Sequence, residues 1–436
     1  LNKVEIHPLE YAGESVAEKL SRIRTEMRRA GASCMLVTQL DDIAWTLNLR
    51  GSDVHCTPVF VAWLIICEES ATLYIKEEKL TAEVKDYLRA EGVAIDDYCN
   101  IIAALNDCDA PTMLIDPSTV NSTLAQPRGN FTVLSAPSPI PAMKAVKNHT
   151  ECEGFRRAME RDGVAMVQFL KWLEEAVPKG YQTELTASAK LYELRAKQPL
   201  FRDISFDTIA AYQEHGAIVH YEATPETDVE LIPCGFLLLD SGAQYLDGTT
   251  DITRTIPLGD VSDRERHVYT LVLKGHLALQ NLCFPRSASG TQLDAVARTA
   301  MWREGMNFMH GTGHGVGSYL SVHEGPHQIR QEYRGAPMVE GMTVTDEPGL
   351  YLDGRFGVRI ENTLLTVPYV TTEFGRFLRF EPLTLCPIDT KPIMTSMLSD
   401  EERQCLNAYH AMVYERLAPM LDEEHREWLK KKTEAI

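Results

Sequence analysis

The chain has 436 residues, of which 44% are hydrophobic and 24% charged, enough for two or three domains and wrong for a disordered chain. Lys plus Arg number 43 against 62 Asp plus Glu, a net charge of −19. That balance speaks against nucleic acid or an anionic membrane as partner, because both require a basic face. The longest apolar run, Val59 to Cys67, is about half of what a membrane helix needs and reads as a buried strand.

The opening LNKVEIHPLEY has neither the basic region nor the apolar core of a signal peptide, and it lacks an initiator Met; we read the chain as a piece of a longer protein. The ten cysteines are scattered without a CxxC pair, as expected of reduced thiols in a cytoplasmic protein and not of a zinc cluster or disulfide framework.

Along the chain, Ser15 to Arg29 carries apolar residues at helical spacing and stops at Gly31. CMLVT, PVFVAWLIIC, ATLYI and TMLID read as strands, with LDDIAWTLN a short helix between the first two. This pattern predicts an α/β domain with a mostly buried sheet. The proline-rich SAPSPIPAMKA, Ser135 to Ala145, is the best boundary. Two helices follow, at about 148–175 and 183–197. Strands then dominate, including SFDTIAAY, AIVHY, GFLLLDSGAQY and TTDITRTIPL, with helices at about 263–283 and 291–304 among them. Further strands are read at MTVTDEPGLYL, GVRIENTLLTV and LRFEPLTLCPI, and helices from Ser399 close an α+β second domain.

His323-Glu324-Gly325-Pro326-His327 matches the HExxH zinc-protease pattern, but that site requires both imidazoles on an unbroken helix. Gly-Pro in its middle removes helix propensity and a backbone donor, so the match is discounted.

A stronger signal is acidic. Asp240 follows four apolar residues, an expensive place for a lone carboxylate. Asp251 lies across the turn signal Asp247-Gly248, and any two-residue loop there puts both aspartates on one face of a hairpin. Glu347 and Glu361 are symmetric about Gly354, so a hairpin centred there sets them opposite each other. Between the pairs lies HGTGHGVG, with His310 and His314 among glycines that permit close approach of backbone or ligand. One buried acid is ordinarily an ion-paired residue, and Arg254 and Arg359 are close by. Four converging acids require a larger positive charge, which two divalent cations supply. Carboxylate-rich ligation with one imidazole suits a hard ion such as manganese.

The strings LNLRGSD, HGAIVHY, LLDSGAQYLDGTTDITRT, HGTGHGVGSYLSVHEGP, TDEPGLY, FGVRIEN and FEPLTLCPIDT run through nearly the whole chain. Together they resemble the peptidase family of methionine aminopeptidase, prolidase and aminopeptidase P, and within it the cytosolic three-domain Xaa-Pro aminopeptidases. The resemblance implies an α/β creatinase-like N-terminal domain over residues 1–142 and an α+β pita-bread catalytic domain over 143–436. It implies Asp240, Asp251, His314, Glu347 and Glu361 as ligands of two divalent metals, Glu347 also as proton shuttle, and His220, His310 and His323 as active-site histidines that bind no metal. His149, His215 and His327 gain no such support and are read as structural. The implied reaction is hydrolysis of the first peptide bond before a proline in second position, by a hydroxide bridging two metals. Peptides with an Xaa-Pro N-terminus are the implied partners, and a homodimer is the candidate assembly. A prolidase acting on Xaa-Pro dipeptides is the nearest rival, and a non-catalytic binding module on the same fold a more distant one. Three-domain relatives carry a further domain before the helix at Ser15, so the 436 residues match only the middle and catalytic domains.

Overall fold

In the structure, a computed structural model that describes residues 1–126 and 128–436, the first long helix spans Val16–Ala30. Ser15 caps it reciprocally with Glu18, Gly31 ends it, and Val16, Leu20, Ile23 and Met27 form its buried stripe. It belongs to a unit running from Leu1 to Glu151. The unit is built on a six-stranded mixed sheet, ordered Val93–Asp96, Ala71–Tyr74, Trp63–Cys67, Cys34–Val37, Thr112–Ile115, Thr132–Ser135. The predicted α/β layer is therefore present. The apolar run from Val59 is strand only from Trp63, although Val59, Phe60 and Ala62 are buried. The Pro-rich stretch lies within this unit: Ile140 and Ala145 are buried, and the Lys144 ammonium lies 2.9 Å from Asp41 and 3.6 Å from Asp42.

The expectation of reduced cysteines is overturned. Cys34 and Cys67 face each other in the antiparallel register of their strands and are joined by a disulfide. Separated by 33 residues, they carry no spacing signal that could have paired them. Among the described residues, the other eight cysteines form no disulfide.

The second unit runs from Cys152 to Ile436. Its central strands are antiparallel. Phe236–Ser241 lies between Ile209–Tyr212 and Ile252–Pro257, and a four-stranded sheet is ordered Cys283–Pro285, Gly375–Pro382, Asn362–Thr372, Thr343–Asp346. Leu237 and Leu239 pack with Met166, Phe169, Leu173 and Leu191 of the helices His149–Ala176 and Glu184–Ala196. Leu238 faces the other way, among Ile209, Ala211 and Tyr221, and Asp240 shares its parity. A second core packs the helix Asp263–Gln280 against Phe356, Val358 and the helix Asp400–Leu417. This is the α+β pita-bread arrangement expected. AIVHY, read as a strand, is not one: the chain makes a 3-10 turn at Gln213–Ala217 and continues as irregular structure to Tyr221. LTLCPI, the end of the last predicted strand, likewise lies outside the strand, which stops at Pro382. Among the described residues, no helix is long and apolar enough to cross a membrane.

Candidate active site

Two hairpins deliver the four acids. In the first, Gln244 pairs with Thr249 and Tyr245 with Gly248 around a two-residue loop, and the same register continues to Asp240 opposite Thr253. Asp251 thereby falls on the face that Asp240 occupies. In the second, Gly349 pairs with Arg359 and Leu352 with Phe356, a register centred on Gly354 that brings the flanking Glu347 and Glu361 back to the same end. A bridge between Thr253 and Glu361 joins the hairpins. His314 arrives on the short strand Gly313–Gly315, and a Cβ on Gly313 would lie 1.9 Å from the Thr345 carbonyl oxygen. Only glycine allows that approach.

His314 turns Nδ1 to the Gly315 carbonyl at 2.8 Å and presents Nε2 to Asp251 at 3.4 Å and Glu347 at 3.3 Å. Ligand atoms of Asp251, His314 and Glu361 all lie within 4.8 Å of one another. Asp240 accepts from Arg359 at 2.8 Å through Oδ2, and Glu361 accepts from Thr253 at 2.7 Å through Oε2. Asp240 Oδ1 and Glu361 Oε1 are buried with no hydrogen-bond partner among the described residues.

The electrostatics match that crowding. Burial, reinforced by the charges of Asp251 and Glu347 and opposed by Arg359, pushes Asp240 up to about 7. Burial and the neighbouring Asp251, Glu347 and Asp240 hold Glu361 well above the usual carboxylate range. Burial would lower His314, but its contacts to Asp251 and Glu347 raise it well above the ordinary histidine value. Burial is outweighed at Glu347 by the bond to His314, and the group falls to about 2. In the protein alone, protons on Glu361 and His314 thus supply part of the positive charge that the carboxylates demand. Divalent cations would displace those protons and take up the unpartnered oxygens, so the residues present fit a metal pair.

A cavity of about 370 Å³ opens onto these groups. His220, His310 and His323 line it with Asp240, Asp251, His314 and Glu347, whereas Glu361 lies deeper. His323 sits edge-on to His314 with ring centroids 4.4 Å apart. Burial, then the nearby His314, lowers its pKa, and burial also lowers that of His310. His310 places Nδ1 2.8 Å from the Gly311 carbonyl and Nε2 2.8 Å from the Tyr351 hydroxyl. The structure therefore brings together all eight residues singled out from the sequence. The HExxH match is not a helix: Glu324–Ile329 is a strand, and extended chain sets residues four apart at roughly 13 Å, too far to share an ion. His327 instead lies 2.7 Å from the Thr343 carbonyl, fully buried.

A larger cavity, about 430 Å³, lies among Leu170, Leu173, Ile256, Leu258 and Trp428. The guanidinium of Arg254 at its edge is bonded to Thr253, Glu361, Asn362, Cys386 and Pro387, and at the cavity rim Lys432 lies 2.8 Å from Glu174 and 4.0 Å from Asp389.

Comparison with known proteins agrees with this geometry. Residues 153–368 match the model of metallopeptidase family M24, residues 376–436 its C-terminal region, and residues 1–151 the creatinase/prolidase N-terminal domain. Aminopeptidase P1 of Arabidopsis thaliana is 40% identical over all of this chain and 76% of its own length. The chain belongs to metallopeptidase family M24.

A probable Xaa-Pro aminopeptidase P of Paracoccidioides brasiliensis is 41% identical over the whole chain and 74% of that protein. Among solved structures of M24 relatives, the X-prolyl aminopeptidase of Caenorhabditis elegans, described as a cytosolic enzyme with a di-nuclear active site, superposes with a TM-score of 0.92 at 33% identity, over 100% of this chain and 73% of that one. The Xaa-Pro dipeptidase of Bacillus anthracis, at 24% identity and a TM-score of 0.68, shares the fold. Two further residues beside this cluster escaped the sequence reading. Arg359 donates to both Asp240 and Tyr351 at 2.8 Å, and Tyr351 in turn contacts His310, linking a metal-facing acid to a cavity histidine. The only signal was Arg359's place in FGVRIEN, where an ordinary ion pair explained it equally well.

Proposed function

We propose that this M24 metallopeptidase is an Xaa-Pro aminopeptidase, removing the N-terminal residue from peptides with proline in second position. The observation that carries the metal-dependent reading is the pair of buried oxygens on Asp240 and Glu361 without a hydrogen-bond partner among the described residues, beside Asp251, Glu347 and His314. The proline preference rests on likeness to relatives bearing that name over the full chain.

Asp240, Asp251, His314, Glu347 and Glu361 would hold two divalent ions, which supply Lewis acidity to the scissile carbonyl and lower the pKa of the attacking water. Manganese is our choice, since oxygen donors outnumber the single imidazole and no thiolate is present. Glu347, the most accessible of the four carboxylates, takes a proton from the water and passes it toward the proline nitrogen. His323 is kept neutral by burial and donates to the oxygen on which charge develops. His220 and His310, both on the cavity wall, hold the substrate about its proline. Peptides are the partners on this reading, with a homodimer as the assembly and the cytoplasm as the compartment. The acidic surface supports the exclusion of nucleic acid and anionic membranes. The Cys34–Cys67 disulfide is the one feature that pulls against a reducing compartment.

The test pairs elemental analysis of the purified protein with hydrolysis of an Xaa-Pro dipeptide and an Xaa-Pro-Xaa tripeptide. Two tightly bound divalent ions and preference for the tripeptide are expected. Turnover of the dipeptide alone would make the protein a prolidase, and no metal at these residues would sink the mechanism.

A further inference from the structure

His220 sits in the segment that was expected to be a strand and is not. After the strand that ends at Tyr212 the chain makes the 3-10 turn Gln213–Ala217 and runs on without a ladder to Tyr221, with His220 on the cavity wall, so something other than a ladder must fix it. The anchor is Glu184, the first residue of the helix Glu184–Ala196 and fully buried. Its Oε1 accepts the Tyr212 backbone N–H at 2.9 Å and lies 2.7 Å from His215 Nδ1. Its Oε2 accepts the Tyr221 hydroxyl at 2.7 Å. One carboxylate therefore ties both ends of the segment and its middle. Charge-assisted bonds of this kind are the strong ones, and losing one partner leaves the others buried and short of a contact.

The anchored rings also hold each other. His215 stacks on Tyr221 with centroids 4.3 Å apart. On the opposite side the segment is pressed against the strand Phe356–Arg359, where a Cβ on Gly357 would lie 1.8 Å from the Gly216 carbonyl oxygen. That strand carries Arg359, which is bonded to Asp240. The segment is thus gripped between Glu184 and a strand of the metal-facing hairpin, and His220 is the residue immediately before the tethered Tyr221. A cavity side chain on irregular backbone is only as well placed as its support.

We propose that Glu184 is a positioning residue for substrate binding, acting through His215 and Tyr221 to hold His220 at the cavity wall; the inference rests on His220 contacting the peptide, as the function above assigns it. His215 is then part of the clamp. Glu184 is fully buried and does not line the cavity, so on this proposal its effect passes through His220 and vanishes when His220 is removed.

The experiment is a double-mutant cycle on the metal-loaded full chain with an Xaa-Pro-Xaa tripeptide. E184Q should raise KM about tenfold and Y221F about threefold, each with kcat within about twofold of the parent, and neither should add to the loss in H220A. Multiplying losses in the E184Q/H220A and Y221F/H220A doubles would overturn the proposal. Y221F removes one of the three contacts to Glu184, together with the hydroxyl's contact to Thr227 at 3.1 Å, and keeps the stacked ring, so it reports even where E184Q fails to fold. A second readout needs neither metal nor turnover: the His220 ring resonance, assigned by its loss in H220A, should shift or broaden in Y221F. An unmoved resonance in folded Y221F overturns the clamp. A resonance that responds, in a protein that cleaves no tripeptide, supports the clamp and overturns the peptidase reading instead.

Discussion

Asp162 and Asp240 are both buried aspartates of the second unit, yet they are used in opposite ways. Asp162 receives Arg195 through both oxygens, at 2.9 and 3.1 Å, and the Tyr245 hydroxyl at 2.9 Å. Asp294 is similarly occupied, by Arg298 and the Thr312 hydroxyl. Asp240 spends one oxygen on Arg359 and leaves the other unpartnered, as Glu361 does beyond Thr253. Burial alone therefore does not mark a functional acid. The mark is a buried acceptor short of donors that also lies among other acids; Asp346, whose oxygens likewise lack hydrogen-bond partners among the described residues, has the His276 ring 3.2 Å away instead.

The largest expected effect tests that distinction directly. Glu361→Gln should remove tightly bound metal and cut activity on the order of 10³-fold or more. The metal-free variant should be at least as stable as the metal-free parent, because the parent must take up a proton at Glu361 to fold near neutral pH and a glutamine need not. A Glu361→Gln protein that keeps its metal, read by elemental analysis, would break the comparison. Asp162→Ala should do the reverse. Arg195 would be left buried and uncompensated, and stability should fall by about 3–5 kcal/mol in urea unfolding, with no change in metal stoichiometry of the folded fraction.

His323→Ala should keep the fold and both metals while kcat falls about 10²–10³-fold, the usual loss for one donor to a developing oxyanion. A change confined to KM would reassign His323 to substrate binding.

Acid should separate the regions further. Burial, then the nearby Arg254, lowers His410 from 6.5 to about 4. Its Nε2 accepts the Ile388 N–H at 3.0 Å. Below pH 6.5 the unfolded chain takes up a proton that the folded chain refuses. This contribution is therefore fully present above pH 6.5 and is lost as pH falls toward 4, in total about 3 kcal/mol. Urea midpoints at pH 7 and pH 4.5 measure it, and His410→Gln should flatten that slope. An unchanged slope would place the acid sensitivity elsewhere. The smallest effect is at His327. His327→Ala should cost about 1–3 kcal/mol of stability through its lost bond to Thr343 and leave metal content unchanged.

What could be read from the sequence follows from which forces are local. The two hairpins were legible because strand parity and turn chemistry act over a dozen residues: Asp247-Gly248 and Gly354 place four acids with no knowledge of the remainder. The helix after Ser15 was legible for the same reason, from apolar spacing and its stop at Gly31; the reciprocal caps that open it and the helices after Ser262 and Ser399 are seen in the structure. AIVHY misled because its apolar run satisfies a strand pattern, while its real partner, Glu184, lies on a helix far back in the chain. The Cys34–Cys67 bond and the Arg359–Tyr351–His310 connection escaped likewise, since each depends on which strands become neighbours. Gathering eight residues around one cavity was within reach only because the motifs resemble a family; spacing alone carried the acids and left His220, His310 and His323 undecided.

The mirror-like register about Gly354 has a bearing on how this gene can change. Side chains alternate at every residue, so one codon gained or lost between Glu347 and Glu361 would turn one glutamate away from the other and empty the site at a stroke. Two codons, one in each arm, would restore the facing. Length variation within this hairpin is thus restricted to even steps, while the exposed tip of the neighbouring hairpin at Tyr369–Phe374 is under no such arithmetic.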